Sequence, residues 1–297
     1  MIVQTVHPKL SQVMSELTDT QFMRYSSHLL LEDMGEAGQL KLMSSSVLII
    51  GVGGLGHAVA HQLAAAGVKH ICLMDDDCVE LSNLPRQLMF NEDDIGQPKV
   101  DIAATKLANA YPECEITALR QHFAKDEQAL FNTVDLVFDC TDNFSSRLVI
   151  NQSAVSSKTA LISAAISAAN GQLFCLDFSL NKIGNTDQSS SIAQSVTDDK
   201  GSIELVDKQL QITSGCYQCL YPDDSQVNQS CSQVGVLTSA LLSIASMQAL
   251  LGLNWLISNP SQRQQMQGKL HLFNAQNLQW RQVVMSQDPN CCICATR

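Results

Sequence analysis

The sequence predicts an α/β fold in which helices flank a mostly parallel central sheet. An apolar run at residues 47–50 leads into a glycine cluster at 51–56, and a helix-like segment and a second apolar run follow it. Short apolar runs and helix-like segments then alternate along the chain, as expected for successive β-α-β units. Two C-x-x-C pairs in the last third of the chain add a structural zinc site. We therefore expect a Rossmann-like sheet with an antiparallel C-terminal extension.

Apolar runs bounded by turn residues place the strands. We expect strands at residues 47–50, 71–74, 116–119, 134–138, 160–166, 172–178, 270–273 and 279–284. Apolar residues at three- and four-residue spacing, with caps and stops, place the helices. The first helix begins at Thr18 and Asp19, with Phe22, Tyr25, Leu29 and Leu30 on one face; further helices are expected at 39–43, 57–67, from 99 to the stop at 112, 125–132 and 234–253.

The chain divides into an N-terminal arm at residues 1–20 and a single domain at 21–297. Within that domain, residues 179–213 are rich in Ser, Asn, Gln and Asp and read as an exposed insertion, with one strand-like patch at 203–210. Residues 214–297 form the C-terminal part that carries the zinc site. We find no internal repeat.

Composition excludes several classes of function. The formal charge of -11 argues against a nucleic-acid partner, since phosphate backbones are bound by clustered Lys and Arg. Residues 1–17 lack the pattern of a secretion signal, and we expect a cytoplasmic protein. The apolar stretch at 234–253 is as long as a membrane span but contains several hydroxyl residues and Gln248 and lacks basic flanks. We therefore expect a buried helix and no membrane partner.

The glycine cluster has the context of a nucleotide-binding loop. Gly51, Gly53, Gly54 and Gly56 follow a strand and open a helix, and Asp75 comes nineteen residues after Gly56. Such glycines let the backbone approach phosphates, and the helix N-terminus supplies amide donors. A nicotinamide dehydrogenase and an ATP-using enzyme both fit this loop.

Residues beyond the acidic strand end favour a triphosphate. Asp77, Asn83, Arg86, Gln87 and Lys99 follow within 25 residues of Asp75. Two of them are cations, which a triphosphate needs, whereas a dinucleotide pyrophosphate can be held mostly by backbone amides.

A second polar group ends the strand predicted at residues 134–138. Asp142 and Asn143 belong to the run 139–143, at the carboxyl end of a parallel strand. Open α/β sheets place their ligand sites at this edge. These two residues are therefore candidates for the same site as the glycine loop.

The cysteine pairs predict a closed zinc site. Cys216 and Cys219 form one pair, and Cys291 and Cys294 form another, 72 residues after Cys219. Four thiolates in two such pairs match a tetrahedral structural site, which leaves no position open for catalysis. A redox role for the first pair is the rival interpretation, but it leaves the second pair unexplained. Cys292 is an alternative ligand at the second pair.

Cys231 lies outside both pairs. Its neighbours are polar, and it precedes the long helix predicted at residues 234–253. A lone cysteine is usually a small buried hydrophobe, but a helix N-terminus lowers the pKa of a thiol. Cys231 is therefore a candidate nucleophile.

Eight motifs, in order, carry a family resemblance. They are RYSSHLLL, GVGGLG, DDDCVELSNLPRQ, DIGQPK, DCTDN, GCYQCLYP, CSQVGV and CCIC, over about residues 21–296. Together they resemble the ThiF, MoeB and HesA family of ubiquitin-activating-like adenylyltransferases. Within it the chain is most similar to the ThiF branch, on FMRYS, the DDD triplet and CLYPD.

The resemblance implies a homodimeric nucleotidyltransferase that binds ATP and Mg²⁺. It would adenylate the C-terminal glycine of a small ubiquitin-like sulfur carrier ending in Gly-Gly and release pyrophosphate. The ThiF branch acts on ThiS in thiamine biosynthesis; the alternative is MoeB-like activation of the molybdopterin synthase small subunit. A sulfurtransferase or cysteine desulfurase is a further expected partner.

Roles carry over by position in the motifs. The resemblance implies that Gly54 lies beneath the phosphates and that Asp75 holds the ribose. It also implies that Asn83, Arg86 and Lys99 bind the triphosphate and that Asp142 binds magnesium near the α-phosphate. Cys231 matches the cysteine that forms a covalent sulfur link with the carrier in ThiF-like members.

Two positions depart from the family pattern. Ser27 stands where the family has an arginine that reaches into the partner subunit's nucleotide site. Arg24, three residues earlier, is expected to share a helix face with Ser27 and cover part of that role. Pro85 replaces the usual Gln before Arg86. The second functional hypothesis is therefore a family member that binds ATP or the carrier but has weak catalytic activity.

Overall fold

The computed structural model describes residues 16–179, 214–222 and 235–295. One eight-stranded sheet organises these residues, in the order β3-β2-β1-β4-β5-β6-β7-β8. The strands are β1 Ser46–Ile50, β2 His70–Met74, β3 Glu115–Leu119, β4 Leu136–Asp139, β5 Ala160–Ser167, β6 Asn170–Leu176, β7 Lys269–Asn274 and β8 Gln279–Val284.

The first five strands are parallel, and the chain winds outward from β1 in two directions. β1 pairs with β2 on one side and β4 on the other, so that Val47 lies opposite both Ile71 and Leu136. The connection after β1 leads to β2, whereas the connection after β4 leads to β5. The loops at the carboxyl ends of β1 and β4 therefore diverge and leave a crevice, which is where such sheets bind ligands.

Helices cover both faces of the sheet. They are α1 Asp19–Arg24, α2 Ser26–Leu29, α3 Gly35–Leu42, α4 Gly56–Ala65, α5 Lys99–Ala110, α6 Phe144–Ser157, α7 Tyr217–Leu220, α8 Thr238–Ile257 and α9 Pro260–Met266. Three 3₁₀ segments span Leu81–Asn83, Glu92–Asp94 and Lys125–Thr133.

Alternation along β1 separates two cores. Val47 and Ile49 belong to the core shared with α4, α5 and α8. Leu48 and Ile50 belong to the core on the opposite face, with α6 and the 3₁₀ segment Lys125–Thr133. Since strand side chains alternate between faces, this four-residue apolar run is what a strand buried on both faces requires.

The sheet becomes antiparallel after β5. A tight turn joins β5 to β6, β6 pairs with β7, and β7 pairs with β8. A third apolar cluster lies here and includes Phe174, Tyr217 and the cysteines at 216, 291 and 294. The predicted fold class is therefore confirmed, including the antiparallel C-terminal extension.

The apolar stretch predicted as a buried helix is α8. Among the described helices it alone has the length and hydropathy of a membrane span, and half of it is buried. Gln248 in its middle is fully buried and donates from Nε2 to the backbone oxygens of Asp139 and Ile162 at 3.0 and 3.2 Å. These bonds fix α8 to β4 and β5, as a core helix requires.

The N-terminal helix differs from its prediction. It is interrupted at Tyr25, where α1 ends and α2 begins. Tyr25 is buried, but Phe22 is 52% exposed and Leu30 is 87% exposed, so the expected apolar stripe does not face this chain's own core. Because the helix is interrupted between Arg24 and Ser27, the argument that both share one helix face was wrong.

Two other expectations shift or remain open. The helix predicted at 39–43 is α3 and begins earlier, at Gly35. Residues 1–15 of the predicted arm, all but residue 179 of the predicted insertion, and its strand-like patch at 203–210 lie outside the described residues.

The contact between α8 and β4 yields a stability prediction. A Cβ atom at Gly252 would lie 2.2 Å from Cζ of Phe138, whose ring is fully buried. Overpacking costs about 1–3 kcal/mol and outweighs the helix-propensity gain of about 1 kcal/mol where the neighbour cannot move. We expect Gly252→Ala to lower the free energy of unfolding in urea by about 1 kcal/mol or more. Ser246→Ala, an exposed change on the same helix, should leave it unchanged or higher; equal stability of both variants would contradict this contact.

Candidate functional site

A cavity of about 440 Å³ lies at the carboxyl ends of β1 and β4. It collects nearly all the residues that the sequence nominated for nucleotide binding. Those that line it are Gly51, Gly53, Gly54, Asp75, Asp77, Asn83, Arg86, Gln87, Lys99, Asp142 and Asn143. The sheet edge therefore brings together groups from segments far apart in the chain.

Gly56 lies behind the loop instead of on the cavity wall. A Cβ atom at this position would be 1.8 Å from the backbone oxygen of Gly51, so only glycine permits the loop to turn this tightly. Gly51 itself has φ +88°. Helix α4 begins at Gly56 without a side-chain cap, and its positive dipole end lies at the glycine loop that lines the cavity.

Asp75 ties the glycine loop to the end of β2. Its Oδ2 accepts from the Val52 amide at 2.6 Å, and its Oδ1 accepts from the Asp77 amide at 2.8 Å. Burial raises the pKa of Asp75, while the Val52 amide and the Lys99 charge oppose the rise. This bracing of the loop is a structural role that the sequence did not predict.

The two nominated cations occupy different settings. Lys99 is only 4% exposed, and its Nζ lies 2.8 Å from Oδ2 of Asp77, which is itself exposed. Arg86 is half-buried and donates from Nη1 to the backbone oxygen of Ser82 at 2.8 Å. Nearby, the buried Oε1 of Gln87 has no hydrogen-bond partner among the described residues. A buried amide with a spare acceptor on the cavity wall favours a ligand that donates a hydrogen bond.

A buried carboxylate shapes the loop that carries Asp142. Asp139, 1% exposed, accepts on Oδ1 from the amide and hydroxyl of Thr141 at 3.1 and 2.7 Å, and on Oδ2 from Ser163 Oγ at 2.8 Å. Arg147 donates to the backbone oxygen of Thr141. The amide, the hydroxyl and the backbone oxygen of Thr141 are therefore all hydrogen-bonded, which holds the loop immediately before Asp142.

Asn143 joins this loop to α6. Its Oδ1 accepts from the Ser146 amide at 2.8 Å and so caps the helix. Asp142 thus stands between a fixed Thr141 and a fixed cap. Sequence reasoning nominated Asp142 and Asn143 but missed Asp139, Ser163 and Arg147; of these, Asp139 lies within the DCTDN motif itself.

The four nominated zinc ligands also converge. The sulfur atoms of Cys216, Cys219, Cys291 and Cys294 all lie within 4.8 Å of one another. Neighbouring sulfurs are separated by 4.0, 3.7 and 3.4 Å. Tetrahedral zinc with Zn–S bonds near 2.3 Å places its sulfurs about 3.8 Å apart, so this donor set fits zinc. Cys292 is exposed and outside the cluster, which favours Cys291 at the second pair.

The remaining nominated residues lie apart from the cavity or outside the described residues. Cys231 falls in the segment 223–234, so its surroundings are not described. Ser27 is exposed on α2 and does not line the cavity of its own chain. A role for this position at a nucleotide site would therefore require a second copy of the chain.

The chain matches the ThiF family over residues 25–293. This match covers most of the sequence, and the chain belongs to that family, as the motif resemblance predicted.

Two relatives from Escherichia coli (strain K12) are similar over nearly their whole length. The sulfur carrier protein ThiS adenylyltransferase is 35% identical over 283 residues, which cover 94% of this chain and 97% of that protein. The molybdopterin-synthase adenylyltransferase is 30% identical over 282 residues, which cover 95% and 99%. Both are adenylyltransferases, so the predicted enzyme class, a nucleotidyltransferase, is confirmed.

Other similar proteins are longer than this chain. The adenylyltransferase and sulfurtransferase MOCS3 of Drosophila sechellia is 31% identical, and the match spans 56% of its length. Among solved structures, E. coli MccB with ATP has a TM-score of 0.67 at 20% identity, covering 91% of this chain and 74% of that one. The structural likeness supports the fold.

The cysteine cluster predicts different zinc contents for variants of the adjacent residues Cys291 and Cys292. We expect the purified protein to hold about one zinc per chain, since a closed four-thiolate site binds zinc as part of the fold. Cys291→Ser should lose most of the metal, whereas Cys292→Ser should retain it. Elemental analysis of both variants measures this; equal zinc in the two, or loss only in Cys292→Ser, would contradict the ligand set.

Proposed function

We propose that this chain catalyses ATP-dependent adenylylation of the C-terminal glycine of a small ubiquitin-like sulfur carrier protein. The carboxylate of the carrier forms a bond to the α-phosphorus of ATP, and the bond to the leaving pyrophosphate breaks. The observation that carries the proposal is the cavity where the glycine loop, two cations and Asp142 meet. Membership of the ThiF family and the named adenylyltransferase relatives support it.

In this proposal the nucleotide lies along the glycine loop. The phosphates would rest above Gly54 and the N-terminus of α4, where the helix dipole favours negative charge. Asp75 would accept a hydrogen bond from a ribose hydroxyl. Each of its carboxylate oxygens already accepts one backbone amide and has a further lone pair available. Asn83, Arg86 and Lys99 would contact the triphosphate.

The chemistry needs charge neutralisation and in-line placement more than proton transfer. The attacking carboxylate is already an anion, so no general base is required. Lys99 and Arg86 would offset the charge of the phosphates as the leaving group departs. Asp142 is the residue we expect to hold Mg²⁺, which supplies positive charge at the phosphates when bound. The hydrogen bonds of Thr141 to Asp139 hold the backbone immediately before Asp142.

Within the family we favour a ThiS-like carrier and a role in thiamine biosynthesis. Support comes from the higher identity to the ThiS adenylyltransferase, 35% against 30% for the molybdopterin-synthase adenylyltransferase, and from the CLYPD and DDD motifs. The alternative carrier is the small subunit of molybdopterin synthase. Cys231 would form a covalent sulfur link with the activated carrier, with a sulfurtransferase or cysteine desulfurase as sulfur donor. We place the reaction in the cytoplasm.

A homodimer is part of the proposal. The N-terminal helices and the turn after them expose large apolar side chains, Met23 at 73%, Leu30 at 87% and Leu31 at 56%. Burial of such a surface against a second copy is favourable. It would also bring Ser27, exposed on α2, toward the partner's cavity.

The second candidate function is a family member that binds ATP or the carrier but turns over weakly. It follows from Ser27 in the place of the usual arginine.

Isotope exchange tests the proposed reaction. We expect the protein with Mg²⁺, ATP and a carrier ending in Gly-Gly to exchange labelled pyrophosphate into ATP, because formation of the adenylate is reversible. A carrier lacking its terminal glycine is the control and should support none. ATP binding without exchange, with exchange gained by Ser27→Arg, would instead favour the weak member. No exchange in either protein, with intact zinc and carrier, would contradict the adenylylation.

Lys99 offers a sharper test of the cavity. Lys99→Met should lower the exchange rate by about 100-fold, the usual effect of removing one donor aimed at developing charge. Folding should survive, because the Asp77 carboxylate left behind is 67% exposed to water. Lys69→Met is the matched control: Lys69 pairs with Glu115 at the opposite end of the sheet and should retain the wild-type rate. Comparable losses in both variants would rule out a specific role for Lys99.

A further inference from the structure

The N-terminal end of α8 forms one wall of the nucleotide cavity. Val236, two residues before the helix, and Leu241, near its start, both line the cavity. Leu241 packs on the glycine loop so closely that a Cβ atom at Gly54 would lie 2.5 Å from its Cδ1. The start of α8 therefore contacts the loop on which the phosphates would rest.

The turn between β5 and β6 holds the residues just before α8. The amide of Ala168 donates to the backbone oxygen of Gly235 at 3.1 Å, and Ala168 forms a parallel β-bridge with Val236. Gly235 has φ +77°, a left-handed conformation that suits glycine. The start of α8 is therefore attached to the central sheet as well as to the glycine loop.

Thr238, the first residue of α8, contacts the segment that carries Asn83, Arg86 and Gln87. Its Oγ1 donates a hydrogen bond to the backbone oxygen of Pro85. Proline has no N–H, so its oxygen is the only backbone group through which residue 85 can be hydrogen-bonded. Because the contact uses that oxygen, it is compatible with Pro85, one of the two departures from the family pattern.

The peptide unit between Pro85 and Arg86 is hydrogen-bonded on both sides. Its oxygen accepts from Thr238, and its N–H, the amide of Arg86, donates to the backbone oxygen of Asn83 at 3.0 Å. Because a peptide unit is planar, these two bonds fix its orientation, and with it the direction in which the Arg86 side chain leaves the backbone. The bond to Asn83 lies within the segment, whereas the bond to Thr238 attaches the segment to α8.

We propose that Thr238 is a positioning residue for the triphosphate-binding segment at residues 83–87. The inference rests on the proposed function, since it takes ATP as the ligand of the cavity. The start of α8 holds both this segment and the glycine loop, so the groups that would contact the phosphates keep a fixed separation. Without the hydroxyl the segment would populate other orientations. The apparent affinity for a ligand falls with the fraction of molecules in the binding conformation.

A comparison of ATP and AMP binding measures this role. Thr238→Val nearly keeps the shape of the side chain but loses the donor. We expect it to raise the dissociation constant of ATP with Mg²⁺ by about fivefold, within the range for loss of one hydrogen bond. The dissociation constant of AMP should change by less than about twofold, which is less than one hydrogen bond contributes, because AMP lacks the β- and γ-phosphates. Titration calorimetry without the carrier measures both, so turnover does not contribute.

Two further variants are controls on the same helix end. Thr238→Ser keeps the hydroxyl and should retain the wild-type affinity for ATP. Ser239→Ala changes the exposed neighbouring residue and should also retain it. If Thr238→Val does not fold, Thr238→Ala, which also lacks the hydroxyl, takes its place in the comparison.

The outcomes separate the positioning role from the proposed function. Absence of ATP binding by the wild type would overturn both proposals. If the wild type binds ATP but forms no adenylate, the proposed function fails while the affinities still decide the role of Thr238. Equal affinities of wild type and Thr238→Val for ATP would overturn the positioning role alone. Equal weakening of ATP and AMP binding would also overturn it, since general damage to the cavity explains that result.

Discussion

The buried carboxylate of Asp139 is the interaction on which the site depends. A charge this deep in the core is stable only when its oxygens are hydrogen-bonded, and here Thr141 and Ser163 supply the donors. Gln248 of α8 donates to the backbone oxygen of the same residue. Three elements, β4, β5 and α8, are thus joined at the point where the sheet ends and the loop bearing Asp142 begins. Removing one partner would leave a buried polar group unpaired, at a cost of about 1–3 kcal/mol or more.

Helix α6, which follows that loop, contacts two regions of different chemistry. On one side lies a cavity of glycines, acids and cations, suited to an anionic nucleotide; on the other lies a cluster of four cysteine thiols suited to zinc. A metal held by all four thiols would have no open position for a substrate, so the cluster suits a structural role. On α6, Arg147 donates to the backbone oxygen of Thr141 beside the cavity, and Asn151 accepts from the Tyr217 amide next to Cys216.

Most helices, strands and binding motifs could be predicted from the sequence because they depend on local patterns of residues. The apolar run before the glycine cluster predicted a strand, and the spacing of the two cysteine pairs predicted a shared metal site. Prediction from the sequence failed where tertiary contacts decide: the helix interruption at Tyr25 leaves no signal in the spacing of apolar residues. Asp139 and Arg147 were missed because their roles rest on partners that meet only in the fold. Gln248 was noticed as a polar residue in an apolar helix, but its acceptors on β4 and β5 could not be read from its neighbours.

The identity of the reaction product tests the central claim most directly. A candidate carrier ending in Gly-Gly, incubated with this protein, ATP and Mg²⁺, can be examined by mass spectrometry of its intact terminus. Adenylylation predicts that AMP becomes attached to the terminal glycine, that pyrophosphate is released in equal amount, and that hydroxylamine removes the adduct. An unmodified terminus for both the ThiS-like and the molybdopterin-synthase carriers, with ATP bound and zinc in place, would contradict adenylylation as the function of this site.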